Sequence, residues 1–428
     1  MNYTFKQKFY AVGQGLFYSS SLSNDTNTVH IVFDCGSEKI DFVEREVIAY
    51  KKEVEKIDLL VLSHLHYDHV SGLKELLNGT HVKTIVLPYL NKYERLLLQI
   101  DHGTASQWYS NFLDNPYNWL SEQNIEDIVV INGNGEPSND NEEIHFQDFN
   151  PDDLFQTKNS LTETDAVQED EDTPFNQKVS FYQAKGSIQI ANIYFKFFNY
   201  QIDLTKLKNF ETAINSLGIK DTQSALNILK DPKQRKILKK AYQQIEKQEE
   251  ALNKTSLAVY QGLIFPKDKY NIDFQVTSSC NSHPIFLNEC CWNHCDYFIH
   301  KHSLNHNCIY YLHSHCGNTC QNMLGTLLLG DIKLDYIRTK RKDEFFKCFA
   351  TLLKTVQVVQ LSHHGSKNGW NDELINEIPS SCLYIASHAV KNKHNHPDKE
   401  VLIPLARSQR HYISVTEYDE WYVELIYI

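Results

Sequence analysis

At 428 residues, with 41% hydrophobic and 12% aromatic residues, the chain has the length and apolar content for a sizeable folded core. A formal net charge of −12 argues against a polyanionic partner only if it is evenly spread, yet twelve acidic residues against the single Lys158 fall between Pro137 and Asp172 and leave the remainder almost neutral. The opening "MNYTFKQKFY" alternates, and no window reaches the ~18 uninterrupted apolar residues of a membrane span, so the expectation is a cytoplasmic protein with no membrane partner.

In chain order, "YTFKQKFYAVGQGLFYSS" and "TVHIVFDCGS" predict a β-hairpin followed by another strand, with glycines at a tight bend and Asp34 closing the strand. Val43, Val47, Tyr50 and Val54 recur at helical spacing. The apolar run ending at Leu62 predicts a buried strand, "GLKELL" a helix start, and "VKTIVLPYL" and "IEDIVVINGNG" two more strands. This alternation predicts an α/β sandwich. An acidic loop is expected over about 137–185, then strand patterning at "SIQIANIYFKFFNYQ", a helical block over about 204–253, and a strand at "TSLAVYQGLIF". A Cys/His-rich tract over about 270–322 precedes the strand "GTLLLGDIKL". The chain closes with a helix at "DEFFKCFATLLKTV", the strand "QVVQLS" leading into "HHGSKNG", a helix at "NDELINEI", the strand "CLYIAS", and "HAVKNKHNHPDKEVL". There is no internal repeat, and all 428 residues are read as one domain with insertions.

"SHLHYDHVSGL", Ser63 to Leu73, places His64, His66, Asp68 and His69 on a strand-to-helix loop. A lone histidine is usually a surface or hydrogen-bonded core residue, but four ligand-type side chains in six positions point to a metal site. Imidazole with carboxylate suits zinc, manganese or iron, and the alternation along the loop suggests two subsites. Three further strands end in ligand-type residues, at Asp331, at His363-His364 and at His394/His396. Each is weak alone: a strand meeting a turn, a loop before a helix, a polar surface stretch. Open α/β sheets bind ligands beyond the carboxyl ends of their strands, so convergence of the four is geometrically reasonable.

These segments together resemble a family. "SHLHYDHVSGL" is similar to the HxHxDH signature of the metallo-β-lactamase fold, a four-layer αββα sandwich. "AVGQGLFYSS", "FDCGS", "NKTSLAVYQ", "TLLLGD", "LSHHGSKNG" and "HNHPDKEVL", in that order, resemble the branch that includes the nuclease domain of competence-type DNA-uptake proteins. The likeness covers both ends of the chain and fails over the acidic loop, the helical block and the Cys/His tract. That branch often has aspartate where this chain has His66 and an acidic residue where it has Leu16, and its membrane channel is absent here. The resemblance implies a free-standing hydrolase with two divalent ions, Zn or Mn. His64 and His66 would hold one ion, Asp68 and His69 the other, with Asp331 bridging and His364 completing the second site. Asp68, His363 and His396 would be catalytic, a protonated His363 or His396 stabilising oxygens of the substrate. Which of His363 and His364 is the ligand stays open, and His102 and His145 are the candidates for a further ligand to the first ion.

Seven of the ten cysteines lie between Cys280 and Cys320. The pairs Cys291/Cys295 and Cys316/Cys320 suit a structural zinc, with reduced packed cysteines as the alternative. Lys236, Lys239 and Lys240 sit in the basic run "KDPKQRKILKK" and offer a surface to DNA or RNA, although a solvated helix face is the commoner meaning of such a run. The expected function is therefore a metal-dependent phosphodiesterase, a nuclease in particular. Hydrolysis of a small ester, lactone or thioester on the same metals is the second reading, and a non-catalytic metal-binding scaffold the third.

Overall fold

The computed structural model describes residues 3–102, 106–133, 157–163, 178–184, 186–200, 255–263, 272–278, 297–304, 307–314, 325–334 and 342–427, with isolated residues between 212 and 240. In chain order it contains β1 (Tyr3–Phe9), β2 (Phe17–Ser23), β3 (Thr28–Cys35), α1 (Ile40–Lys51), β4 (Lys56–Val61), α2 (Tyr67–Val70), α3 (Leu73–Leu77) and β5 (His81–Pro88). Next come α4 (Lys92–His102), α5 (Gln107–Asp114), α6 (Pro116–Ser121), β6 (Ile125–Asn132), β7 (Thr157–Asn159), β8 (Val179–Gln183), β9 (Ser187–Ile190) and β10 (Ile193–Phe198). Then follow β11 (Ala258–Leu263), β12 (Ile272–Ser278), β13 (Tyr297–Leu304), β14 (Asn307–Ser314) and β15 (Gly325–Leu328). The last elements are α7 (Lys342–Leu353), β16 (Val356–Gln360), α8 (Glu373–Glu377), β17 (Leu383–Ser387), α9 (Lys399–Arg407), β18 (His411–Val415) and β19 (Trp421–Tyr427). No helix among the described residues is long and apolar enough to cross a membrane.

The strands form two sheets, ordered β13-β14-β12-β19-β1-β2-β3-β4-β5-β6-β8 and β18-β17-β16-β15-β11-β10-β9-β7. Side chains of a strand alternate between its faces, and the buried residues divide accordingly. Ile31, Phe33, Leu59 and Val61 join Ile193, Phe195, Val259 and Leu328 in a core between the sheets. Val32, Leu60, Leu62 and Ile85 turn the other way, onto Val43, Val47 and Tyr50 of α1 and Leu73 and Leu76 of α3. On the far side Leu327, Val356 and Val359 meet Phe345 and Phe349 of α7 and Val401 and Leu405 of α9. Three apolar interfaces between four layers make an αββα sandwich. Val54, which extends the helical spacing in the sequence, lies past the end of α1 but in the same core.

The adjoining strands β3, β4, β5 and β6 run parallel, and so do β15, β16, β17 and β18. Parallel strands are covered on both faces, which accounts for their near-continuous apolar runs. A polar chain crosses the inter-sheet core. Gln7 Nε2 donates to Tyr18 Oη at 3.0 Å and to Thr326 Oγ1 at 2.5 Å, Tyr18 Oη donates to Gln261 Oε1 at 3.3 Å, and Gln261 Nε2 donates to Ser20 Oγ at 2.7 Å. Buried polar groups must be paired, so this chain allows one register between β1–β2 and β11–β15.

Two expectations need correction. Part of the stretch expected as an acidic loop is strand: β7 pairs with β9, and β8, whose Val-Ser-Phe-Tyr alternates, pairs with β6. The described part of the Cys/His-rich tract, where the family likeness fails, is also sheet. β12 pairs with β19 and carries β14 and β13 outward along the first sheet. Cys291, Cys295, Cys316 and Cys320 lie outside the described residues.

The loop after β1 and the turn after β3 press on the backbone of α2. A Cβ on Gly36 would stand 2.4 Å from the Asp68 carbonyl oxygen and 2.5 Å from the carbonyl carbon of His69. Gly36→Ala should therefore displace α2 and cost about 3 kcal/mol, as severe overpacking does. Gly79→Ala, with φ +77° but open space around it, should cost only about 1 kcal/mol. Chemical denaturation of both variants measures the difference, and equal midpoints would contradict the packing account.

Candidate metal centre

The carboxyl ends of β3, β4, β15 and β16 meet at one point. Asp34, at the end of β3, is fully buried, with φ at +54°. Its Oδ1 accepts the Ser63 backbone N–H at 2.6 Å, and its Oδ2 accepts the Ser63 hydroxyl at 2.6 Å and His69 Nδ1 at 2.8 Å. Ser63 has one hydroxyl proton, and Asp34 takes it. Toward His64 Nδ1, 2.9 Å away, the Ser63 oxygen is therefore the acceptor. His364 Nδ1 faces the Ser387 carbonyl at 2.8 Å, and a carbonyl can only accept. In the neutral rings this network assigns the proton to Nδ1 in His64, His69 and His364, and turns all three Nε2 lone pairs inward.

What those lone pairs face is carboxylate. His69 Nε2 is 3.2 Å from Asp331 Oδ1, His64 Nε2 is 3.6 Å from Asp331 Oδ2, and His364 Nε2 is 3.1 Å from Asp68 Oδ2. His69 Nε2 also stands 3.9 Å from Asp68 Oδ2, so His69 lies between the two acids. His64 Nε2, His69 Nε2 and Asp331 Oδ1 are buried without a hydrogen-bond partner among the described residues; the 3.2 Å approach lacks hydrogen-bond alignment. Two acceptors this close need a cation between them, a proton or a metal ion.

The electrostatics agree. Burial opposes ionisation of Asp68 and Asp331, but the nearby imidazoles outweigh it and hold both carboxyls below the usual range. Burial likewise opposes charge on His69, but Asp331, Asp34 and Asp68 together push its affinity for positive charge up. His64 is driven down, by burial first and the His69 charge second. The site is anionic and selects a cation.

The donor set fits a metal. Asp34, His64 and His69 form one compact group, and Asp68, His69 and His364 another. In the first group the Asp34 oxygens are already engaged by Ser63 and His69, so Asp34 orients ligands rather than binding the ion, the familiar carboxylate–histidine support of a metal. Asp331, set against His64 and His69, fills that place better. His364 lies in the second group, whereas His363, more exposed, presents Nε2 to Asp331 Oδ2 at 3.8 Å from the open side. His66 occupies the residue before α2 without a side-chain capping bond, its ring 4.8 Å from that of His64. His396 meets His363 edge-on, ring centres 5.5 Å apart. Of the proposed extra ligands, His102 closes α4 and His145 lies outside the described residues.

Where the sequence leads one to expect a protonated His363 or His396, desolvation at both positions favours the neutral ring. Burial first, and neighbouring imidazoles with it, lower both, His396 to about 4. Four of the six non-glycine residues with positive φ among the described residues are Asp34, His363, His364 and Asn395. Such backbone is unfavourable by about 1 kcal/mol or more at each position, and here it gathers at the site.

Three supports were not read from the sequence. Ser63 and Asp34 act together only because β3 and β4 pair in parallel. Ser256 Oγ accepts the Asp331 backbone N–H at 3.0 Å. Gln360 Oε1 accepts the backbone N–H groups of Leu329 and Gly330 at 2.7 and 2.8 Å, fixing the turn that delivers Asp331.

Residues 16–146 match the family described as the metallo-beta-lactamase superfamily. No curated protein matches the chain. The matched stretch holds Asp34 and His64 to His69, while Asp331, His363, His364 and His396 lie beyond it. With the two helix-faced sheets, the match identifies the fold as a metallo-β-lactamase sandwich.

Removing the support should weaken binding without removing a ligand. Asp34→Ala should lower affinity for Zn²⁺ or Mn²⁺ by about 10- to 100-fold. Titration calorimetry with each ion measures it, and unchanged affinity would contradict the orienting role of Asp34.

Proposed function

We propose that this protein is a metal-dependent hydrolase that cleaves phosphodiesters, with DNA or RNA as the leading substrate. The observation that carries this reading is the set of inward-facing Nε2 lone pairs of His64, His69 and His364 opposed to Asp68 and Asp331. His64, His69 and Asp331 would hold one divalent ion, and Asp68 and His364 the second, with His66 at the margin of the first. Divalent ions at such a site supply Lewis acidity toward a substrate oxygen and lower the pKa of water.

The chain's own groups do the remainder. Asp68, less enclosed than Asp331, orients water and takes up its proton. His363 and His396, neutral and on the open side, donate hydrogen bonds to oxygens of the substrate instead of presenting charge. Two adjacent imidazole donors beside a dicationic site suit a tetrahedral anionic group with several oxygens better than a small neutral acyl group. The sequence likeness of "LSHHGSKNG" and "HNHPDKEVL" supports the same choice. Lys236 and Lys240 are exposed and open to a polyanion; Lys239 lies outside the described residues.

Asp68→Asn should leave the fold intact and reduce hydrolysis of bis(p-nitrophenyl) phosphate by more than about 100-fold, beyond a single general-base contact. The wild-type protein should also cleave single-stranded DNA or RNA in the presence of Mn²⁺ or Zn²⁺. A folded Asp68→Asn variant with near-normal turnover would remove Asp68 from the mechanism. Turnover of lactones or thioesters but of no phosphodiester would transfer the site to acyl hydrolysis.

A further inference from the structure

His396 is an awkward residue to hold in place. Its side chain is only 8% exposed, and its Nδ1 is buried with no hydrogen-bond partner among the described residues. It sits in the connection between β17 and α9, where Asn395 has φ +57° and no ladder or helix satisfies the backbone. Something must compensate for an orphaned ring nitrogen on irregular chain.

The ends of this connection are tied to the frame. At one end Val390 N–H donates to Glu417 Oε2 at 2.9 Å. At the other Asp398 N–H donates to the Gly365 carbonyl at 2.9 Å, and Asp398 Oδ2 accepts the Lys367 N–H at 2.8 Å. Between those anchors one side chain organises the loop. Asn392 Oδ1 accepts the backbone N–H groups of His394 and His396 at 3.2 and 2.9 Å. Asn392 Nδ2 donates to the carbonyls of Ala389 and His396 at 2.9 and 2.8 Å. Both amide protons and both acceptor sites are used, and three of the four bonds go to His394 and His396.

We propose that Asn392 is a positioning residue that clamps the backbone on both sides of His396 and so holds its imidazole against His363 at the mouth of the carboxylate cluster. The role of the imidazole rests on the hydrolase reading above; the clamp itself does not. Only a short amide satisfies the geometry. Aspartate keeps the two acceptor contacts and loses both donors, and alanine loses all four.

The test compares wild type, Asn392→Ala, Asn392→Asp, His396→Ala and the Asn392→Ala/His396→Ala double variant in the full chain loaded with Mn²⁺. The first readout, independent of any substrate, is amide hydrogen exchange across residues 392–397. Exchange at His394 and His396 should rise in Asn392→Ala, with Asn392→Asp intermediate and the rest of the chain unchanged. The second is turnover of bis(p-nitrophenyl) phosphate. Asn392→Ala should lower kcat by up to about 100-fold, the scale of a displaced active-site group, with KM altered less. Adding Asn392→Ala to His396→Ala should cost nothing more, because a residue that acts only through another is silent once that one is gone.

Losses that multiply in the double variant would overturn the proposal and make Asn392 a general structural residue. Wild-type exchange in both Asn392 variants would overturn it as well. If Asn392→Ala fails to fold, Asn392→Asp supplies both readouts. A wild-type protein that cleaves no phosphodiester would defeat the hydrolase reading, and the exchange measurement alone would then decide the clamp.

Discussion

The structure is organised around an electrostatic demand: three carboxylates, Asp34, Asp68 and Asp331, converge where water has little access. An unpaired buried carboxylate costs several kcal/mol, so the surrounding chain must supply positive charge or admit a cation. Asp34 is satisfied internally, by Ser63 and by the Nδ1 proton of His69. That arrangement leaves Asp68 and Asp331 facing the Nε2 atoms of His364, His69 and His64, where a proton or a metal ion must stand between each acid and the ring it meets. The same hydrogen bonds that stabilise the folded site thus make it electron-rich, and the metal-binding reading follows from proton bookkeeping on Ser63, His64, His69 and His364.

The rest of the fold serves to hold that pair of acids in register. Asp331 arrives from the second sheet on β15 and Asp68 from the first, after β4, so the site exists only if the two sheets keep their relative position. The buried Gln7–Tyr18–Thr326 and Gln261–Ser20 contacts provide it a few residues upstream of Asp331. Gln360 and Ser256 then fix the Asp331 turn, and the Gly36 contact seats α2. Left-handed backbone at Asp34, His363 and His364 is the cost of aiming Asp34 and His364 inward and His363 toward the opening from strand ends, offset by the cores on either side of each sheet.

The site was legible in the sequence where its signal is local. His64, His66, Asp68 and His69 announce themselves within six residues, and the strand before them is an uninterrupted apolar run. Asp34 was visible only as the end of a strand, because its role depends on parallel pairing with β4, which brings it to Ser63. The choice between His363 and His364 was equally closed to sequence, since consecutive left-handed residues decide which ring faces Asp68 and which the opening. The burial that disfavours charge on His363 and His396 was invisible in the sequence because desolvation is a tertiary property. The cysteine-rich tract read as an insertion because the family likeness fails there, yet its strands β12, β13 and β14 continue the first sheet past β19; cysteine and histidine counts drew attention from an apolar run such as "CIYYL" in β14.

The central claim is that the inward Nε2 lone pairs and the Asp68 and Asp331 carboxylates together hold metal. Diffraction data from crystals grown with Mn²⁺ or Zn²⁺, collected on both sides of the absorption edge of the ion, test it directly. The account predicts anomalous peaks at the Asp331 carboxylate shared with His64 and His69, and at the Asp68 carboxylate shared with His364. Crystals at saturating metal with no peak at either carboxylate, the acids paired with protonated imidazoles instead, would contradict it.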